Sequence, residues 1–368
     1  MKVQFNREAL SDALGLLTLV VPERTPKPIL RCVRISAAGS EVRILGTDLE
    51  VGINCVVAAV QVEQEGEAIV PAGKLAGIVR ESADEVLSLE AEGGTCKIQG
   101  ADSHFTVYGQ EPGQYPQVPG FEGAAELEVG LENLQRGISQ VLFATAREST
   151  RYAINGVLWE VQGKKLILVA TDGRRLARSK VTLASKVAES MAKTKVIVPP
   201  KTMSVLDKLS GGGKENVAVR LVDNQILISC GSVVISSNLV EGNFPKYEDI
   251  IPGDYERKLR LPTEAVLSAV KRAALLTSEE SRGIRLSVGK DSLVFSGKAP
   301  EAGDAEVELA VKYKGEPIVV GFNPQFLTDV LRAIKEPEFE LELGQPDTPG
   351  VIKCGTNFLY VLMPINLG

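Results

Sequence analysis

Apolar and polar positions follow two alternating periods along this chain, and the whole pattern comes round three times. Val3-Gln4-Phe5 reads as a short strand, and Leu10, Ala13, Leu14, Leu17 and Val21 then recur at helical spacing, which predicts a helix over 7–20 with one face in a core. Leu127-Glu128-Val129 opens a second copy, and Leu131, Leu134, Ile138, Val141, Leu142 and Thr145 predict a helix over 131–145. Leu259-Arg260-Leu261 opens a third, leading into a helix over 263–276.

Half-way through each copy a strand runs into a second helix. Ala68-Ile69-Val70-Pro71 leads into 74–81, Val196-Ile197-Val198-Pro199 into 201–209, and Ile318 to Phe322 into 324–335. Runs such as Val42-Arg43-Ile44-Leu45, 166–169, 225–229 and 292–295, bounded by Gly, Asp and Asn, are expected as period-2 strands. Tyr115-Pro116, Phe244-Pro245 and Met363-Pro364 close the copies. Each copy reads as two helices packed on antiparallel strands, an α+β domain. The expected domains are 1–122, 126–252 and 256–368, joined by short segments containing Gly or Pro. Units of this size carry their own cores and need no solenoid neighbours.

Composition narrows the class. The chain has 368 residues, 44% hydrophobic and 24% charged, with Lys plus Arg 41 against Asp plus Glu 47, a formal net charge of -6. That balance fits a globular protein and excludes a generic basic nucleic-acid coat, while leaving room for a locally basic face. No signal peptide or membrane span is read in the sequence, and a cytoplasmic location is expected. Cys32, Cys55, Cys96, Cys230 and Cys354 form no CxxC pair, so neither a disulfide framework nor a zinc site is expected.

Signals for catalysis are sparse. His104 is the sole histidine, so a His-based triad or His-rich metal site would have to be built around that one residue, and a structural or surface role is expected for it. Gly211-Gly212-Gly213-Lys214 is followed by Glu215, where a phosphate loop needs Ser or Thr, so a flexible turn between strands is expected. Asp172-Gly173 between 166–169 and Leu176-Ala177 is hairpin chemistry. No catalytic residue, metal or cofactor is predicted.

Three domains of this size, each roughly 35 Å wide, would close on a hole too small for duplex DNA, whereas six would leave one roughly 35 Å across. A two-fold, head-to-tail pair of chains is the expected solution. Its inner wall would carry cations for phosphates: Lys74, Arg80, Lys201, Lys208, Arg332 and Lys335 on second helices, and Arg136, Lys271 and Arg272 on first helices. Glu81, Asp207 and Asp329 share these second helices, and a solvated charged face would look the same.

Several motifs then point to a family. Val169-Ala170-Thr171-Asp172-Gly173-Arg174-Arg175-Leu176-Ala177 resembles the bacterial sliding clamp, the beta subunit of DNA polymerase III. So do Arg24 with Pro28-Ile29-Leu30, Gly46-Thr47-Asp48-Leu49-Glu50, Arg151-Tyr152-Ala153-Ile154-Asn155-Gly156, Asn243-Phe244-Pro245-Lys246-Tyr247 with Ile251-Pro252, Arg282-Gly283-Ile284-Arg285-Leu286, and Val361 to Leu367. The resemblance covers the whole chain in order. It implies a non-enzymatic, ring-shaped homodimer around double-stranded DNA, placed there by a clamp loader and tethering the DNA polymerase III catalytic subunit, other polymerases and repair proteins.

The resemblance also implies a peptide pocket formed by Ile154, Thr171, Gly173, Arg174, Arg175, Leu176, Pro245, Ile250, Val361, Met363, Pro364, Ile365 and Leu367. Apolar side chains with an adaptable Met and an Arg rim suit a Gln- and Leu-containing peptide. Asn366 stands where the best-known members have Arg, and Arg174 where some have His, so peptide preference is open. Among DNA-contacting positions Arg24 and Lys201 match the family, while Gly73 lacks a basic side chain often found there. For the dimer contact it points to Lys74 on the first domain and to Leu275, Leu276, Glu301, Asp304 and Glu306 on the third. Read without the resemblance, Leu275-Leu276 could equally be the buried end of a helix. Two other classes remain as alternatives: a monomeric repeat scaffold that binds proteins without encircling DNA, and a hydrolase using Asp48, Asp172 or Glu carboxylates.

Overall fold

The computed structural model describes residues 1–147, 153–185, 187–211, 214–277 and 283–366. The chain folds into two compact units, one made of Met1–Gln135, Leu183–Ala192 and Val198–Leu239, the other of Arg136–Thr182, Lys193–Ile197 and Val240–Gly368. Six α-helices are present among the described residues: α1 Arg7–Val20, α2 Ala72–Glu81, α3 Leu131–Val141, α4 Pro200–Asp207, α5 Thr263–Ala273 and α6 Pro324–Ala333.

In the first unit one twelve-stranded antiparallel sheet runs from the edge strand His104–Tyr108 through Thr95–Gln99, Val86–Glu92, Lys2–Asn6 and Val51–Gln64 to Val233–Asn238, Gln225–Cys230, Asn216–Val222 and Leu127–Gly130. The join is made where Val51 to Cys55 pair with Ser237 to Val233. Hydrogen bonding thus continues from the first sequence repeat into the second. Helix α1 starts where the Asn6 side chain accepts the Ala9 amide at 3.0 Å. Its buried residues include Leu10, Ala13, Leu14 and Leu17, the face expected from the spacing.

The second unit holds an eight-stranded sheet and a separate four-stranded one. The larger sheet runs from Lys195–Val198 through Val157–Gln162, Lys165–Thr171 and Arg175–Thr182 to Phe358–Leu362, Gly350–Cys354, Glu338–Leu343 and Arg257–Pro262. Leu166 to Val169 were expected to alternate, yet all four are buried. Both faces of that strand are covered, and a strand buried on both sides has no polar face to write into the sequence. One face carries a core of Leu158, Ile167, Val169, Leu176, Tyr247, Val351, Leu359 and Val361. The smaller sheet has the order Gly303–Ala310, Ser292–Ala299, Ile284–Gly289, Ile318–Phe322.

Two first helices stop short of their expected ends. Helix α3 gives way to a 3-10 turn at Leu142–Ala144, and α5 to one at Ala274–Leu276. The same device tightens both: Thr145 Oγ1 donates to Leu142 O at 2.9 Å, and Thr277 Oγ1 to Ala274 O at 3.1 Å. The Gly211–Lys214 segment links α4 to the strand Asn216–Val222, not strand to strand as its glycines suggested, and Gly212 and Gly213 lie outside the described residues.

Candidate functional site

The hairpin at Thr171-Asp172-Gly173-Arg174-Arg175 is the best-defined local structure among the predicted site residues. Thr171 Oγ1 donates to Arg175 O at 2.7 Å and accepts the Gly173 amide at 3.1 Å. Asp172 Oδ1 accepts the amides of Arg174 and Arg175 at 3.0 and 3.1 Å. Gly173 takes φ 85°, a backbone shape that L side chains resist. Short side-chain acceptors therefore close the turn and turn Arg174 outward.

Beneath the turn lies a guanidinium. The Arg175 side chain is only 9% exposed, with Nε on Asp172 Oδ2 at 2.9 Å, Nη1 on Asp329 Oδ2 at 2.7 Å and Nη2 on Phe143 O at 2.7 Å. It stands 4.3 Å from the Phe326 ring centre and 5.4 Å from that of Phe143. Burial alone would lower its pKa, but Asp329 first, then Tyr360 and Asp172, raise it. The 3-10 turn after α3 supplies the Phe143 carbonyl, so the early end of that helix has a use here.

The last strand completes the wall. Arg175 pairs with Leu362 and Leu176 with Val361, and the Met363 amide donates to Arg174 O at 3.0 Å. Ile365 N donates to Gly321 O at 2.9 Å, which seats the segment after Met363. A second polar anchor fixes residues 243–251. Tyr247 OH donates to Glu160 at 2.7 Å, while Lys195 lies 3.1 Å from the same carboxylate. Burial would raise the Glu160 pKa, but hydrogen bonds from Gln162, Tyr247 and Lys195 bring it below the usual carboxylate value. Phe244 and Ile251 pack on the core beside Tyr247.

The structure thus places Thr171, Gly173, Arg174, Arg175 and Leu176 in one hairpin, joined by strand pairing to Val361 and by a backbone bond to Met363. Ile154, Thr171, Leu176 and Val361 are buried, Arg175 and Pro245 are half-buried, and Pro364 and Ile365 follow Met363 in half-buried positions. Gly173 and Arg174 are exposed, and Ile250 and Met363 are each 41% exposed, large apolar groups facing solvent. Leu367 lies outside the described residues. Sequence reasoning missed Phe143, Glu160, Phe326 and Asp329 as parts of this site. No motif singled out Phe143 or Phe326, and no local pattern tied Asp329 to a residue 154 positions away.

Three family models account for nearly the entire chain: the DNA polymerase III beta subunit N-terminal domain over residues 1–119, the central domain over 128–246 and the C-terminal domain over 248–366. The chain belongs to the DNA polymerase III beta subunit family. It is similar to the beta sliding clamp of Escherichia coli K12, 30% identical over 372 residues and the full length of both chains. It is likewise similar to that of Pseudomonas putida, 32% identical over 375 residues and the full length of both. Its fold matches the crystal structure of a Pseudomonas aeruginosa sliding clamp bound to griselimycin, with TM-score 0.91, 30% identity and full coverage of both chains. A Bacillus subtilis clamp matches with TM-score 0.90 at 25% identity, over 100% of this chain and 99% of that one.

In this family's terms the fold is three tandem clamp domains of α+β type with antiparallel sheets, and the function is that of a beta sliding clamp, a non-catalytic factor conferring processivity on DNA polymerase III. Of the cations expected to face DNA, Arg24, Lys74, Arg80, Arg136, Lys208, Lys271, Arg272, Arg332 and Lys335 are exposed. Arg80 lies 3.2 Å from Glu81. Lys201 is engaged within the fold, donating to Val20 O at 2.9 Å and pairing with Asp48. Leu275 is 79% exposed and Leu276 half-buried; Glu301, Asp304 and Glu306 are exposed at or beside the edge strand Gly303–Ala310. Among the described residues no helix is long and apolar enough to cross a membrane.

Proposed function

We propose that two copies of this chain close head to tail around double-stranded DNA in the cytoplasm. In this reading the three domains span about 1–122, 126–252 and 256–368. The observation that carries it is a pair of unfinished sheet edges. His104–Tyr108 ends the twelve-stranded sheet with Phe105 38% and Tyr108 79% exposed, an open edge bearing apolar groups that a lone molecule would ordinarily blunt. Gly303–Ala310 ends the four-stranded sheet, with Asp304, Glu306 and Glu308 exposed. Pairing one edge with the other, one from each copy, satisfies both and closes the ring by two-fold symmetry. Lys74, Leu275, Leu276, Glu301, Asp304 and Glu306 are the side chains assigned to that contact.

Encirclement then supplies retention by topology, so the exposed cations need only touch phosphates without reading bases. The hairpin at Gly173–Arg174 with Met363, Pro245 and Ile250 is assigned to capture of short Gln- and Leu-containing segments of the polymerase catalytic subunit, the clamp loader and other replication or repair proteins. A peptide held there keeps its owner at high local concentration on the template. Sedimentation equilibrium should give twice the mass of the chain at micromolar concentration, and loaded protein should stay on nicked circular DNA but leave after linearisation. A monomer, or equal loss from both DNA forms, would favour the protein-binding scaffold instead. Met363→Ala combined with Leu367→Ala should abolish peptide binding while leaving the dimer intact.

A further inference from the structure

We propose that Asp329, on α6, is a positioning residue for the peptide site, acting through Arg175 on the Gly173–Arg174 hairpin without touching the peptide. The inference rests on the peptide-site reading given above. Its warrant is a comparison the chain makes with itself. The first repeat contains the same hairpin at Thr47-Asp48-Leu49-Glu50-Val51, with Thr47 Oγ1 donating to Val51 O at 2.9 Å and accepting the Leu49 amide at 2.9 Å. Asp48 Oδ1 accepts the amides of Glu50 and Val51 at 3.0 and 2.7 Å, and Leu49 has φ 81° against 85° for Gly173. In both turns the second carboxylate oxygen of the aspartate meets a cation, and in both that cation also donates to a backbone carbonyl near the end of the repeat's first helix. Lys201 reaches Val20 O, and Arg175 reaches Phe143 O.

One cation is therefore enough to hold such a turn. Around the second-repeat turn stand an additional acid and two aromatic rings, Phe143 from the second repeat and Asp329 and Phe326 from α6 of the third. Asp329 takes Nη1 of Arg175, and its own second oxygen is fixed by Gln325 Nε2 at 2.7 Å, one helical turn away. Phe326, from the same helix, lies over the guanidinium. As a result the Arg175 side chain is 9% exposed, compared with 36% for Lys201. A cation so enclosed is poorly placed to serve a peptide directly. What it can do is fix Asp172, hence the Arg174 amide and carbonyl, hence the Met363 amide that hangs from that carbonyl. Removing Asp329 leaves a nearly buried guanidinium nitrogen without its acceptor, which favours withdrawal of Arg175 from the turn.

The test measures a fluorescein-labelled Gln-Leu-Ser-Leu peptide on the full chain, with amide hydrogen exchange at Arg174 and Arg175 in parallel. Asp329→Ala should weaken binding about tenfold and speed exchange of both amides by a similar factor, and Asp329→Asn, which keeps one acceptor but no charge, should fall between. Val288→Ala, a core truncation in the strand Ile284–Gly289, serves as the control for general destabilisation and should leave both readings within about twofold. The positioning role is overturned if Met363→Ala abolishes binding while neither Asp329 variant weakens it beyond the Val288→Ala control. It is also overturned if affinity drops with no change in exchange at Arg174 and Arg175. If Met363→Ala itself leaves binding untouched, the peptide-site reading fails and this inference with it.

Discussion

The Leu49 and Gly173 pair isolates what a backbone angle costs. Both occupy the left-handed region at the same place in the same turn, at φ 81° and 85°. For leucine that shape costs about 1–2 kcal/mol, against a glycine entropy penalty of about 0.5–1 kcal/mol. Leu49 is 49% exposed, so trimming it forfeits little burial. Leu49→Gly should therefore raise stability slightly in urea melts, by about 0.5 kcal/mol. Gly173→Ala should do the reverse, losing about 1 kcal/mol, because a Cβ there meets nothing within 4 Å and only the dihedral strain remains. Equal and negligible shifts in both variants would show that the turn relaxes freely. The turn at Asp172-Gly173 was legible from residue type and spacing; the matching turn at Asp48-Leu49, which has no glycine to signal it, and the cation beneath each were not.

At the scale of elements, the ends of the first helices decide where functional groups come to rest. Gly297 shows how tightly one end is built. A Cβ on it would lie 2.3 Å from Ala273 O and 2.8 Å from Leu276 O, backbone atoms of α5 and the 3-10 turn that presents Leu275. Backbone cannot rotate aside as a side chain can. Gly297→Ala should cost at least about 1–3 kcal/mol, the usual penalty for overpacking, and should shift the amide signals of Ala274 to Thr277. If the assembly contact at Leu275 is as proposed, the same variant should also weaken self-association in sedimentation. The helices themselves were readable from their 3.6-residue period, whereas the switch to a 3-10 turn was not. It depends on a threonine hydroxyl capturing a carbonyl and on strand neighbours that the local sequence does not name.

For the whole molecule, charge must be counted by placement and not by sum. The chain is acidic overall, at -6, yet among the described residues the exposed Arg24, Lys208, Lys271 and Arg332 form no ion pair of the kind that occupies Lys201. On linear duplex, where topology gives no retention, each phosphate contact contributes about one unit to the slope of log affinity against log salt. Arg24→Ala and Lys208→Ala should each reduce that slope by about one, and Lys201→Ala should leave it nearly unchanged while lowering the melting temperature. A full unit lost on Lys201→Ala would return that residue to the DNA-facing set.

The sequence by itself determined the threefold repeat, the α+β class, the helical faces and the family motifs, because periodicity and turn chemistry are local and survive translation into a linear code. Through the Thr171 to Leu176 motif and the segment Val361 to Leu367 it also supplied the residues that the proposed peptide site is built from. Only the tertiary structure decided that Lys201 is spent on Asp48, that Arg175 is enclosed by Asp329 and Phe326, and that Tyr247 is tied to Glu160. Those pairings join residues 87 to 154 positions apart. Their energies come from burial and geometry at the meeting point, and neither is a property of the segments that meet.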